Sequence, residues 1–216
     1  MQWYEFLTKR QVEQVHEASM QILAKVGIEF RFEPALEVLK KGGARVDGER
    51  VFFPARLVEE QIRKAPAEFT LYARNSDFDV VIGGNHTALV PGYGAAFVTD
   101  LDNGRREGTL KDFENFVKLT DASPYQDVCS GMVIEPTDAP HEIRHALAIY
   151  TAIKNSPKPF MGSAMGVQGA KDSIQMASIL FGSKDELSRK PRMISILCSL
   201  TPLAYDERML GAIMEY

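Results

Sequence analysis

Apolar positions along the first third of the chain recur first at helical spacing and then in short alternating runs. Val12, Val15, Ile22, Leu23 and Val26 form one stripe, the signature of an amphipathic helix. Thr8 with Gln11 supplies a capping box at its start, and Gly27 a stop. The pattern predicts a second helix over 34–41, ended by Gly42-Gly43. Val46-Asp47-Gly48 followed by Val51-Phe52-Phe53 predicts a small hairpin, and Pro54 falls in the first turn of a third helix. Further short strands are predicted at 69–73, 80–82 and 87–90.

From residue 95 the rhythm changes to apolar runs alternating with amphipathic stretches of about ten to fifteen residues, the mark of βαβ units. Strands are predicted at 95–99, 128–134, 159–164 and 193–198, with helices at 109–122, 141–155, 169–182 and from 206. The strands are nearly continuous in apolar or small residues, as suits a parallel sheet buried on both faces. The expected fold class is α/β: a partial (β/α)8 TIM-type barrel over 88–216, preceded by a small α+β cap region over 1–87. A doubly wound sheet is the competing architecture, but no G-x-G-x-x-G follows any strand. The last helix, with Met209, Leu210 and Ile213 facing inward, stops without a C-cap glycine, a basic last turn or a polar tail. The chain therefore reads as truncated, and its unpaired strand edges predict aggregation or self-association.

The densest turn chemistry lies between residues 91 and 110. Pro91-Gly92-Tyr93-Gly94 predicts a tight turn using left-handed glycine backbone. Asp102-Asn103-Gly104-Arg105 predicts a two-residue type I′ hairpin. Thr109 is expected as the N-cap of a helix whose apolar face is Phe113, Phe116, Val117 and Thr120.

Composition places few demands on this picture. Hydrophobic residues at 45% and charged residues at 25% are those of a globular chain. A net charge of -4 with scattered basic residues argues against a nucleic-acid surface. Cys129 and Cys198 lie in apolar runs and are expected as reduced core cysteines. There is no signal peptide and no run of about 18 apolar residues, so a cytoplasmic location is expected.

The ordered segments PGYGAAFVTDLDNGRREGTL, LTKRQVEQVHEASMQILAKVGIEF, GGARVDGERVFFPARLVEEQIRKAPAEFTLYAR and VIEPTDAPHEIRHALAIYTAIKNSPKPF together resemble the trimethylamine methyltransferase family. The resemblance spans essentially the whole chain. Family members are considerably longer, so the chain looks like an amino-terminal half. The resemblance implies a methyltransferase that moves a methyl group from a tertiary or quaternary methylated amine, trimethylamine or betaine-like, to the cobalt of a corrinoid protein. It implies no cofactor bound by this chain, a partner corrinoid protein as acceptor, and a homo-oligomer. The position at which some members carry pyrrolysine lies beyond Tyr216, and no D-x-H-x-x-G cobalamin signature occurs here.

In a βα barrel the reacting groups come from the carboxyl ends of the strands. On the predicted pattern these are Asp100 at the end of the first strand, which the Pro91–Gly94 turn precedes, Glu135-Pro136-Thr137-Asp138 after the second, 163–168 after the third and Ser199-Leu200-Thr201-Pro202 after the fourth. Glu135 is the candidate catalytic residue, offering charge to an ammonium; it could equally cap the next helix or pair with Arg144. Tyr93, Tyr125 and Phe160 are candidates for an aromatic cage, with Tyr93 favoured by its flanking glycines. The candidate substrate-binding set is Tyr93, Gly94, Phe160, Ser163 and Thr201. His141-Glu142-Ile143-Arg144-His145 matches the zinc-protease H-E-x-x-H, which leaves a zinc hydrolase built on His141 and His145 as an alternative. Pro140 puts His141 too near the helix start, Arg144 would crowd the metal and no third histidine follows, so no metal site is expected. A non-catalytic betaine-binding module is the other alternative. His16 and His86 are read as packing or surface residues, and Asp102-Asn103-Gly104 as a turn rather than a calcium loop.

Overall fold

A computed structural model describes residues 5–216. Helices and strands are mixed along the chain, and no closed barrel forms among the described residues. The contacts divide the chain into two units, one up to Pro66 with Cys198–Leu210, the other Ala67–Leu197 with Gly211–Tyr216.

The first unit opens with α1 (Lys9–Gln21), held by the predicted capping box between Thr8 and Gln11 and continued by a π-helical turn over Ile22–Val26. Gly27 ends it at φ 73°, and a Cβ there would lie 2.6 Å from the Val51 carbonyl oxygen, so only glycine fits. The predicted stripe exists but is not buried: Val12, Val15, Ile22 and Val26 are exposed, and α1 buries no side chain. A four-stranded sheet follows, built from β1 (Ile28–Phe30), β2 (Arg45–Asp47), β3 (Arg50–Phe52) and the late strand Ala204–Tyr205. Its order is Ala204–Tyr205, β1, β3, β2; β1 runs parallel to the late strand and antiparallel to β3. α2 (Glu33–Lys41) and α3 (Ala55–Ile62), the latter capped by Pro54, agree with the pattern. Phe30, Ala35, Leu36, Ala44, Val51 and Leu210 make the core of this unit.

In the second unit β4 (Glu68–Leu71) and β5 (Val80–Gly83) form a hairpin. The strand expected at 87–90 does not form. Leu89 is instead held by its N–H on the Asp127 carboxylate and by its carbonyl on the Asp127 N–H. β6 (Phe97–Asp100) pairs antiparallel with β7 (Gly104–Glu107), and Asp100 opposes Gly104. The loop between them thus has three residues, not the two of a type I′ turn. The Asp100 carboxylate accepts from the N–H groups of Asp102 and Asn103, and only Gly104, at φ 64°, is left-handed. α4 (Leu110–Ala122) begins at the predicted Thr109 cap, with Phe113, Val117 and Thr120 buried and Phe116 at the edge.

Parallel pairing links successive segments beyond this point. Ala95 bridges Ile134, the Cys129 N–H donates to the Pro159 carbonyl, and the Met161 N–H donates to that of Ser130. Residues 128–134 are too sparsely bonded to count as the predicted strand. The predicted strands at 159–164 and 193–198 shrink to β8 (Phe160–Met161) and β9 (Met193–Ile194), which pair in parallel. α5 (Arg144–Asn155) starts three residues later than the pattern suggested, and α6 (Gly166–Phe181) three earlier. α7 (Lys184–Arg189), capped by Ser183, was not foreseen. β10 is the late strand Ala204–Tyr205, and α8 (Glu207–Glu215) starts from Asp206, whose carboxylate accepts the Met209 N–H. On α8 it is Leu210 and Ala212 that are buried, while Ile213 is exposed, because the predicted face is rotated by the shift from Ile213 to Ala212. Cys129 is buried as expected; Cys198 is exposed, because β9 ends before reaching it. Among the described residues no helix is long and apolar enough to cross a membrane.

Candidate active site

Residues before α5, on α5 and after β8 line two adjoining pockets in the second unit. The inner pocket holds about 30 Å³ and the outer about 170 Å³, and Met132, Glu135, His145 and Met165 belong to both. A roomier groove of about 460 Å³ runs beside β9 between Lys184, Arg192 and Tyr216, but it gathers none of the residues selected from the sequence.

Glu135 is fixed by its backbone, whose N–H donates to the Ala95 carbonyl at 2.9 Å, and by the buried Pro136 that follows. Its side chain is 40% exposed, with Arg144 Nη1 3.6 Å from the carboxylate. Arg144 is itself steered by donation from Nη2 to the Ala139 carbonyl at 3.0 Å, while its Nε is buried without a partner. Both roles weighed for Glu135, pairing with Arg144 and presenting charge to a ligand, are compatible with this geometry.

Tyr93 lines the inner pocket and lies over Gly131. A Cβ on Gly131 would sit 2.6 Å from both the Tyr93 ring and the Met161 sulfur, so the ring's seat depends on a missing side chain. Gly94, at φ 79°, donates its N–H to the Met132 carbonyl at 2.6 Å and so ties the Tyr93 turn to the pocket wall. Ser163 lines the inner pocket and is immobilised on three sides: its N–H donates to Ser173 Oγ, its Oγ accepts the Met165 N–H, and its carbonyl accepts the Tyr216 hydroxyl. Phe160 lines neither pocket; it is 2% exposed in a core cluster with Cys129, Ile149, Ala152 and Ala177. Tyr125 is largely exposed and lines neither pocket. Thr201 is an exposed residue of the other unit, before the cis-bonded Pro202.

The H-E-x-x-H segment does not present two imidazoles on one helical face. α5 begins at Arg144, so His141 sits in the preceding turn, and His145 is already engaged. Among the described residues no group of three or more His, Cys, Asp or Glu side chains is placed to hold a metal ion. His145, only 9% exposed, places Nε2 2.7 Å from Asp172 on α6. The other Asp172 oxygen accepts from Gln168 Nε2, also at 2.7 Å. The bond from His145 leads the causes that hold the Asp172 carboxyl below its ordinary value, with Gln168 adding to it. Sequence reading missed this pair. The partners are 27 positions apart on successive helices, and only the i, i+4 spacing of Gln168 and Asp172 hinted at a polar ridge on α6. It also missed Gly131 and the methionines Met132, Met161 and Met165, which read as ordinary apolar positions.

A family model described as trimethylamine methyltransferase matches residues 1–216. The chain is similar to a glycine betaine methyltransferase of Desulfitobacterium hafniense, 51% identical over 99% of this chain and 44% of that protein. It is 29% identical to a proline betaine:corrinoid methyltransferase of Eubacterium limosum, over 97% of this chain and 44% of that protein. It is 28% identical to a trimethylamine methyltransferase of D. hafniense, over 93% of this chain and 41% of that protein. The chain spans less than half the length of these curated relatives.

Proposed function

The chain belongs to the trimethylamine methyltransferase family, and on that premise we propose that it supplies part of the methylamine pocket of a methyltransferase acting on a tertiary or quaternary methylated amine. The observation that carries this reading is the convergence of Glu135 and Tyr93 on pockets walled by Met132, Met161 and Met165. A methylated ammonium has a diffuse positive charge on an apolar shell. Thioethers and an aromatic ring match the shell, and a carboxylate matches the charge. In this reading the parallel run from 95 through β9 is a portion of a (β/α)8 barrel, with Glu135 at the carboxyl side of its segment.

The methyl acceptor is the cobalt(I) of a corrinoid carried by a partner protein. The carbon–nitrogen bond breaks with its electron pair staying on nitrogen, and the cobalt electron pair forms the new bond to carbon. This chain's residues orient the amine and hold its charge; Glu135 stabilises the ammonium in the ground state and must release the neutral amine afterwards. The test is a visible spectrum of the full-length protein mixed anaerobically with cobalt(I) carrier and trimethylamine, glycine betaine or carnitine. Conversion of the cobalt(I) band to methyl-cobalt(III) with one of them supports the reading. Amine binding without conversion supports a binding module instead.

A further inference from the structure

Methyl transfer takes positive charge out of the pocket: a quaternary ammonium enters as a cation and the amine leaves neutral. Glu135 matches the first state and not the second, because its carboxylate is left without a counter-charge once the methyl group has gone. A group that favours only the starting state deepens it and slows the step. A second cation within reach of Glu135, standing off while the ammonium is bound, would correct that mismatch. Arg144 has this placement. Both side chains line the outer pocket, and Arg144 Nη1 stops 3.6 Å from the carboxylate, longer than the roughly 2.7–2.9 Å of a charge-assisted hydrogen bond. Among the described residues the carboxylate accepts no hydrogen bond, and Arg144 is its one ion-pair partner. The guanidinium is moored instead through Nη2, at 3.0 Å, to the Ala139 carbonyl on the loop that carries Glu135, while Nε is buried without a partner. It therefore keeps unspent donors. With the Arg144 side chain 21% exposed and that of Glu135 40%, the pair is partly screened, which suits an exchangeable contact better than a fixed bridge. Glu142, the other carboxylate of the outer pocket, is exposed and does not line the inner one.

We propose that Arg144 is a positioning residue that exchanges with the substrate as counter-ion of Glu135, standing off while the methylated ammonium is bound and closing on the carboxylate as the charge departs with the methyl group. The inference rests on the proposed function and adds to it a cation that the pocket holds for its product state. The electron count of the transfer is untouched: the carbon–nitrogen pair stays on nitrogen, the cobalt pair forms the cobalt–carbon bond, and no proton moves. While the ammonium is bound, Arg144 is a like charge across the same carboxylate and weakens the complex. As the carbon–nitrogen bond breaks, the same guanidinium stabilises what remains. Removing it should therefore tighten binding and slow transfer together, a pairing that damage to the fold does not produce.

The test combines calorimetric titration of the full-length protein with tetramethylammonium, no carrier present, and rates of methyl-cobalt(III) formation at varied glycine betaine with excess carrier. Arg144→Gln is expected to bind tetramethylammonium about threefold more tightly, and to show a lower KM with kcat reduced about tenfold. Arg144→Met is a second neutral variant should the glutamine fail to fold, and Arg144→Lys, which keeps the charge, is expected to recover most of the lost kcat. In a Glu135→Gln background, Arg144→Gln should leave tetramethylammonium binding unchanged, because the shared carboxylate is gone. Unchanged or weakened tetramethylammonium binding in the neutral variants, an undiminished kcat, a lysine variant as slow as they are, or the same tightening in the Glu135→Gln background overturns the exchange and leaves the methylamine reading standing. Wild-type protein that neither binds tetramethylammonium nor methylates the carrier overturns both.

Discussion

Replacing Lys158 by methionine should destabilise the second unit more than any surface change near the pocket. Lys158 is 6% exposed, and its ammonium donates to the carbonyls of Thr120, Ser123 and Gln126 at 3.0, 2.8 and 2.8 Å. All three N–H groups are used, and the acceptors are the last turn of α4 and the loop after it, where carbonyls point outward without helical partners. The same locus is tied to β8, because the Lys158 N–H donates to Ser156 Oγ, which in turn donates to Asp121 at 2.6 Å. Methionine keeps the aliphatic stem but deprives three carbonyls of a charged donor. Charge-assisted bonds contribute about 1.5–3 kcal/mol each. The Thr120 carbonyl retains a second donor in the Ser123 N–H, and relief from burying the ammonium offsets part of the loss, so we expect about 3 kcal/mol in total. Urea unfolding followed by circular dichroism should show a lower midpoint with an unchanged slope. A loss below about 1 kcal/mol would refute the idea that this ammonium holds α4 to the strand.

Other outcomes follow from the same structure. Asp112 combines the α4 capping box with a two-pronged bond to Arg106 at 2.6 and 2.8 Å, so Asp112→Ala should cost about 2 kcal/mol in urea unfolding. Arg106 holds the Asp112 carboxyl far below its ordinary value, and the Asn103 N–H foremost among several partners lowers Asp100. Depressed carboxyl pKa values stabilise the fold above their unfolded value, so stability should fall as pH drops below about 4; an Asp112→Asn variant with the same acid profile would contradict this. Gly131→Ala should crowd Tyr93 and Met161, costing about 1–3 kcal/mol and changing the fluorescence or chemical accessibility of Tyr93. Burial pushes the Cys129 thiol up to about 12, whereas Cys198 is exposed. A disulfide exchange reagent at neutral pH should therefore label Cys198 first and Cys129 only on unfolding, and rapid labelling of both would be inconsistent with the core described.

Local chemistry was the most legible part of the sequence. Thr8 and Thr109 as caps, Gly27 as a stop and the hairpin around Gly48 depend on a few neighbouring residues, and each is found as read. Strand length was less legible, since runs such as 128–134 and 193–198 carry the right apolar residues but lack continuous hydrogen-bonding partners. The three-residue loop after Asp100 escaped notice because the decisive acceptor is a side chain outside the Asn-Gly pair. At the candidate site, Glu135, Tyr93 and Ser163 line one pocket; the strand-end rule pointed to Glu135 and Ser163, and the flanking glycines to Tyr93. His145 with Asp172, and Gly131 beneath Tyr93, are tertiary contacts between segments that carry no shared periodic signal.

In the function proposed here, Glu135 holds the charge of a methylated ammonium in this pocket. Its most direct test compares wild-type and Glu135→Gln full-length protein in the cobalt(I) assay with glycine betaine, following growth of the methyl-cobalt(III) spectrum. Fast conversion by the wild type is expected, and a rate reduced at least about tenfold in the variant at amine concentrations well below saturation, where lost ground-state binding is read, with an unaltered melting temperature. Equal rates for the two proteins would contradict it and leave Glu135 as only the structural partner of Arg144.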